Sequence, residues 1–86
     1  AYPSYLIYNP YEQNKSITYK IKSKGKVDLY DAVSQRFVVK NVTGKAAVSI
    51  TSKNSVIIVE TPVGSKITKV KNHLLANGIV IDYQKR

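Results

Sequence analysis

Alternation of apolar with polar residues dominates this chain and limits much of it to strands, because successive strand side chains point to opposite faces of a sheet. The longest such stretch is residues 27–42. Val27 and Leu29 alternate with Asp28 and Tyr30, and then Phe37, Val39 and Asn41 alternate with Val38, Lys40 and Val42. The polar break over residues 31–36 makes the stretch a β-hairpin. Asp31 starts its turn by accepting a hydrogen bond from backbone two residues on. Leu29 and Val39 then face the core, Asp28 lies on a wet face, and neighbouring strands build outward from this pair.

The rest of the chain follows the same rule. In residues 16–22, Ile17, Tyr19 and Ile21 share one face, and Ser16, Thr18, Lys20 and Lys22 the other. This is the pattern of an antiparallel strand with one wet side. In residues 46–51, Ala46, Val48 and Ile50 point inward. Residues 56–59 are apolar on both faces and so form a central strand buried on both sides. A short apolar run at residues 5–8 ends at Asn9-Pro10, where proline cannot donate to a ladder. Turn residues fill 23–26, 42–45, 52–55 and 61–64. Residues 66–71 alternate weakly. Residues 73–76 and 79–83 flank Asn77-Gly78, a strong short signal for a hairpin. A turn of helix over residues 70–76 is the alternative there.

These segments amount to about eight short strands at roughly 8–12-residue spacing. The expected fold is all-β: a small antiparallel β-sandwich, Greek-key or Ig-like, with residues 1–86 as one domain. Strand-favouring Val, Ile and Tyr agree with it. There is no Cys, so no disulfide supports the fold and no thiolate does chemistry. No apolar run approaches the roughly 18 residues of a membrane helix. The chain begins at Ala1, which suits a processed chain or the C-terminal part of a longer protein.

Enzyme templates fit poorly. His73, the one histidine, has no acid or nucleophile at a recognisable spacing and reads as a surface or hairpin residue. Asp28 and Asp31, three apart on a strand, point to opposite faces and so do not make a glycosidase pair. The glycines at 25, 44, 64 and 78 are isolated in turns and form no phosphate loop. No cofactor or metal site is implied.

Two sets of residues remain as binding candidates. The net charge is +9, from 14 Lys and Arg against 5 Asp and Glu. Lys20, Lys22, Lys24 and Lys26 form a basic ladder at every second position, a candidate track for an anionic polysaccharide, although Gly25 interrupts it. Solvation and protection of an edge strand account for it equally simply. Nucleic acid is a weaker partner, because Tyr19 lies on the face opposite Lys20 and Lys22, where it cannot stack with them on one strand. Tyr2, Tyr5, Tyr8 and Tyr11, at every third position, are candidates for sugar stacking. Tyr5 and Tyr8 point to opposite faces of a strand, and packing explains such residues as well.

Five segments together carry a resemblance: Tyr5-Leu-Ile-Tyr-Asn-Pro10, the strand at residues 16–22, Val27-Asp-Leu-Tyr-Asp-Ala-Val-Ser34, Phe37-Val-Val-Lys-Asn-Val42 and Val56-Ile-Ile-Val-Glu-Thr-Pro62. They resemble the small C-terminal β-sandwich accessory domains of bacterial glycoside hydrolases and related polysaccharide-degrading proteins. The likeness covers residues 5–64, and its motifs are structural. It implies a non-catalytic domain, packed on a catalytic or substrate-binding neighbour in the same chain, in a secreted, periplasmic or cell-surface protein. It carries no catalytic residue to this sequence. The alternatives are an independent module for anionic polysaccharide and, behind it, a basic nucleic-acid-binding barrel.

Overall fold

A computed structural model describes residues 2–70, 73–76 and 79–83. Among them are nine strands and no helix: β1 (Ser4–Tyr8), β2 (Lys15–Lys20), β3 (Val27–Asp31), β4 (Arg36–Val42), β5 (Lys45–Ile50), β6 (Ser55–Pro62), β7 (Ile67–Val70), β8 (His73–Ala76) and β9 (Ile79–Tyr83). All pairings are antiparallel. The main sheet has the order β1-β6-β3-β4, with a β2-β5 pair and a β7-β8-β9 sheet beside it. The all-β antiparallel sandwich expected from the alternation is therefore the fold, with nine strands instead of about eight. The helical alternative for residues 70–76 is replaced by strands β7 and β8. The Asn77-Gly78 turn and the His73 side chain lie outside the described residues.

The main sheet is apolar on both faces. On one face, Val27 and Leu29 of β3 and Val56 and Ile58 of β6 meet Tyr19 of β2 and Val48 and Ile50 of β5. Half-buried Ile17, Val39 and Ala46 pack around this core. Leu29 sits opposite Val39, as the alternation requires. On the other face, Tyr30, Ala32 and Val59 form a second cluster, joined by Tyr2, Phe37, Ile57 and Ile67 of β7. The Tyr2 hydroxyl donates to the Ala76 carbonyl of β8 at 3.3 Å, and Ala76 is fully buried. The three-stranded sheet thus lies over the second face, and all five residues of β3 are buried.

Two expectations change as a result. Asp28 does not lie on a wet face: it is 3% exposed, because the face it occupies is covered. The strand expected over residues 16–22 ends at Lys20, so Ile21 and Lys22 belong to the following loop. The Ile21 N–H still donates to the Gly44 carbonyl at 2.9 Å, and beyond it the backbone is held by a buried carboxylate.

Candidate functional site

That carboxylate is Glu60, next to last but one in β6 and 1% exposed. Alternation puts it on the same face as Val56 and Ile58, at the rim of the first core. Its Oε2 accepts from the Tyr19 hydroxyl at 2.6 Å and the Lys22 N–H at 2.8 Å. Its Oε1 accepts from the Ser23 N–H at 2.8 Å and the Ser23 hydroxyl at 2.7 Å. The two N–H groups that follow Ile21 are thus held by this one carboxylate, and the chain turns away from β5. Burial pushes the Glu60 carboxyl up, but hydrogen bonds from Lys22, Tyr19 and Ser23 outweigh burial and hold it below its usual value. Burial and the Glu60 carboxylate together push the Tyr19 phenol well above its usual range.

Asp28 and Asp31 do comparable work. Asn41 has a φ of 57° at an irregularity in the β3–β4 pairing. Its N–H turns to Asp28 Oδ1 at 2.8 Å, while Asp28 Oδ2 takes the Gly64 N–H at 2.9 Å. Asp31 accepts from the Val33 N–H at 3.0 Å, the turn contact expected from sequence. It also takes the Ser34 N–H at 3.2 Å and, across the sheet, the Ile57 N–H at 2.9 Å. Buried Asn9 completes the set. Its Nδ2 donates to the carbonyls of Gln13, Ile50 and Thr51, and its Oδ1 accepts from the Tyr11 N–H. Each of these polar groups satisfies backbone that would otherwise be buried without a partner.

The register gives the sandwich two unlike ends. At one end lie Lys20, directly opposite Lys45 in the β2–β5 pair, and the loop carrying Lys22, Lys24 and Lys26. All five lysines are exposed, and none forms a salt bridge among the described residues. Lys22 Nζ lies 5.8 Å from the centre of the Tyr5 ring. The four lysines of the ladder are therefore brought to one end, but by a strand terminus and a loop and not along one strand face. Lys45 was not legible as their neighbour, since only the register places it there. Tyr19 is buried on the opposite face of β2, away from Lys20.

At the other end stand the Asn9–Tyr11 turn and the Asp31–Arg36 turn. Tyr8, Tyr11 and Val33 are exposed there, the latter two at 58% and 50%. Beside Val33 is a cleft of about 270 Å³, bordered by Arg36, Val38, Ser49, Thr51, Asn54 and Ser55. The four tyrosines of the candidate sugar platform do not share one surface: only Tyr8 and Tyr11 come together, bordering a small pocket with Lys15. Tyr2 packs into the second cluster, and Tyr5 meets Tyr19 edge-on at 6.0 Å on the first face. Tyr8 points to the second face, and Tyr11 lies in the turn with Lys15 Nζ 5.0 Å from its ring centre.

No group of three or more His, Cys, Asp or Glu among the described residues is placed to hold a metal. Among the described residues no helix is long and apolar enough to cross a membrane. Compared with protein-family models, curated proteins and solved structures, the chain matches none.

Proposed function

We propose that this chain is a non-catalytic accessory domain, structural or docking, of a secreted bacterial carbohydrate-active protein, seated on a neighbouring domain of the same parent chain. One observation carries the reading. The three carboxylates buried among the described residues, Asp28, Asp31 and Glu60, all spend their oxygens on backbone N–H groups or on hydroxyls of their own fold. A fourth acid, Glu12, is exposed and lies 3.8 Å from Lys53. Acids committed in this way brace a scaffold. The exposed Val33, beside the cleft, and Tyr11, exposed at the same end, offer apolar surface of the kind that docks on a neighbour. In the parent protein, Tyr11→Glu with Val33→Glu is expected to lower the melting temperature of the neighbouring domain, while the isolated 86-residue chain keeps its own. Unchanged melting of the neighbour would contradict the reading, as would a gene encoding no other domain.

A second reading is a module for anionic polysaccharide. It is favoured by the Lys20–Lys45 pair, in which like charges face each other across two strands with no acid between them. Retention on heparin that falls steeply with salt, and drops in Lys20→Gln with Lys45→Gln, would support it; no retention at low salt would remove it.

A further inference from the structure

We infer that β1 is an association edge, and that its occupant is β1 of a second copy of this chain, paired antiparallel about a two-fold axis through Leu6. This goes beyond the accessory-domain reading and does not depend on it.

The first argument is the hydrogen-bond phase of the strand. The Glu60 N–H donates to the Pro3 carbonyl, and the Asn9 N–H donates to the Asn54 carbonyl, both at 2.9 Å. In the β1–β6 register, Tyr5 stands opposite Ile58 and Ile7 opposite Val56. Hydrogen-bonded pairs alternate in an antiparallel ladder, so Pro3, Tyr5, Ile7 and Asn9 turn their backbone groups toward β6. Ser4, Leu6 and Tyr8 turn theirs away from it. β1 ends the sheet, and these groups have no partner among the described residues.

Second, within its own residues this edge is unguarded, with Lys20 and Lys22 bordering the open groove beside it. Edge strands are usually blunted by lysine, by bulges or by proline within the strand. β2 is bracketed by Lys15 and Lys20. The opposite edge of the main sheet, β4, carries Arg36 and Lys40, and its pairing with β3 is broken by register shifts. β1 reads Ser-Tyr-Leu-Ile-Tyr, with no charge and no irregularity in its pairing. Leu6, at its centre, is 70% exposed.

The third argument selects the occupant. With Leu6 on the two-fold axis, Leu6 meets Leu6 of the second copy, Ser4 meets Tyr8, and Tyr8 meets Ser4. Every outward N–H then faces an outward carbonyl, because all the pairs are of the hydrogen-bonded kind. Pro3 and Pro10 bound the run in both copies, so the two edges match in length. The contact is isologous and closes as a dimer, joining two four-stranded sheets into one. Each copy carries a net charge of +9, so repulsion opposes the contact and added salt strengthens it.

Sedimentation equilibrium on the wild-type chain, up to millimolar concentration and at low and high salt, tests this. A monomer–dimer equilibrium that tightens with salt is expected. Leu6→Lys and Leu6→Pro should each weaken it at least tenfold. Leu6→Pro removes an N–H that points away from β6, so the β1–β6 ladder and the melting temperature should be largely kept. Hydrogen exchange on the wild type needs no variant: the Ser4, Leu6 and Tyr8 amides should become protected as concentration rises, while Tyr5 and Ile7 are protected throughout. A chain that stays monomeric, a dimer that weakens with salt, or a dimer in which those three amides keep exchanging freely would overturn the inference.

Discussion

Glu60 is the residue on which the basic end depends. A buried carboxylate is tolerated only when its oxygens are satisfied, and here two N–H groups and two hydroxyls do so. Glu60→Gln keeps the shape but places an amide NH₂ against donors. It should cost about 2–3 kcal/mol, as loss of hydrogen bonds to a charged group does, and should free the loop bearing Lys22, Lys24 and Lys26. The pH dependence has a definite sign. The folded-state pKa of Glu60 is lowered, so its contribution is fully present above the unfolded value near 4.5 and fades as pH falls toward the folded value. Urea denaturation of both proteins should therefore show a gap that is constant near neutrality and narrows below about pH 4.5. For Tyr19 the sign is reversed: its raised pKa stabilises the fold below the ordinary value of 10.0, and that contribution is lost as pH climbs above it. Sequence does not reveal this cluster, because the partners of Glu60 lie 37 to 41 residues away. The available signal was a single acid closing the apolar run Val56-Ile-Ile-Val59. Asp31 was legible because its turn contact is local. Its third donor, Ile57 N–H, was not.

At the scale of elements, β3 is the centre. It lies between β6 and β4 in the sheet and between two apolar clusters across it. Leu29, fully buried, fills the first cluster. Leu29→Ala should cost about 2–5 kcal/mol, and thermal unfolding should drop by about 8 °C or more at roughly 4–8 °C per kcal/mol for a chain of this size. An unchanged melting temperature would displace β3 from the centre. Alternation located this hairpin and β5, and the unbroken apolar run at residues 56–59 located β6, because both patterns are properties of the local chain. Alternation gave Asp28 a wet face because the groups that meet its carboxylate, the Asn41 and Gly64 N–H, lie 13 and 36 residues away in sequence. It also carried β2 two residues too far, since Ile21 and Lys22 keep the period while the Lys22 and Ser23 N–H groups go to Glu60.

At the scale of the molecule, the chain divides its labour between ends. One end collects lysines that form no salt bridge among the described residues, the other exposes Tyr8, Tyr11 and Val33, and acids brace the interior between them. Net charge and the Lys20–Lys26 ladder were plain in the sequence. The pairing of Lys20 with Lys45 and the gathering of exposed apolar residues at the opposite end needed the strand register. The central claim is that the domain serves a neighbour and performs no reaction itself. The most direct measurement is to delete residues 1–86 from the parent protein and record both the turnover per folded molecule and the melting temperature of what remains. The account predicts turnover within a few-fold of the intact protein and a melting temperature lowered by several degrees. Turnover abolished in a remainder that is still folded, together with activity recovered in the 86-residue chain alone, would contradict it.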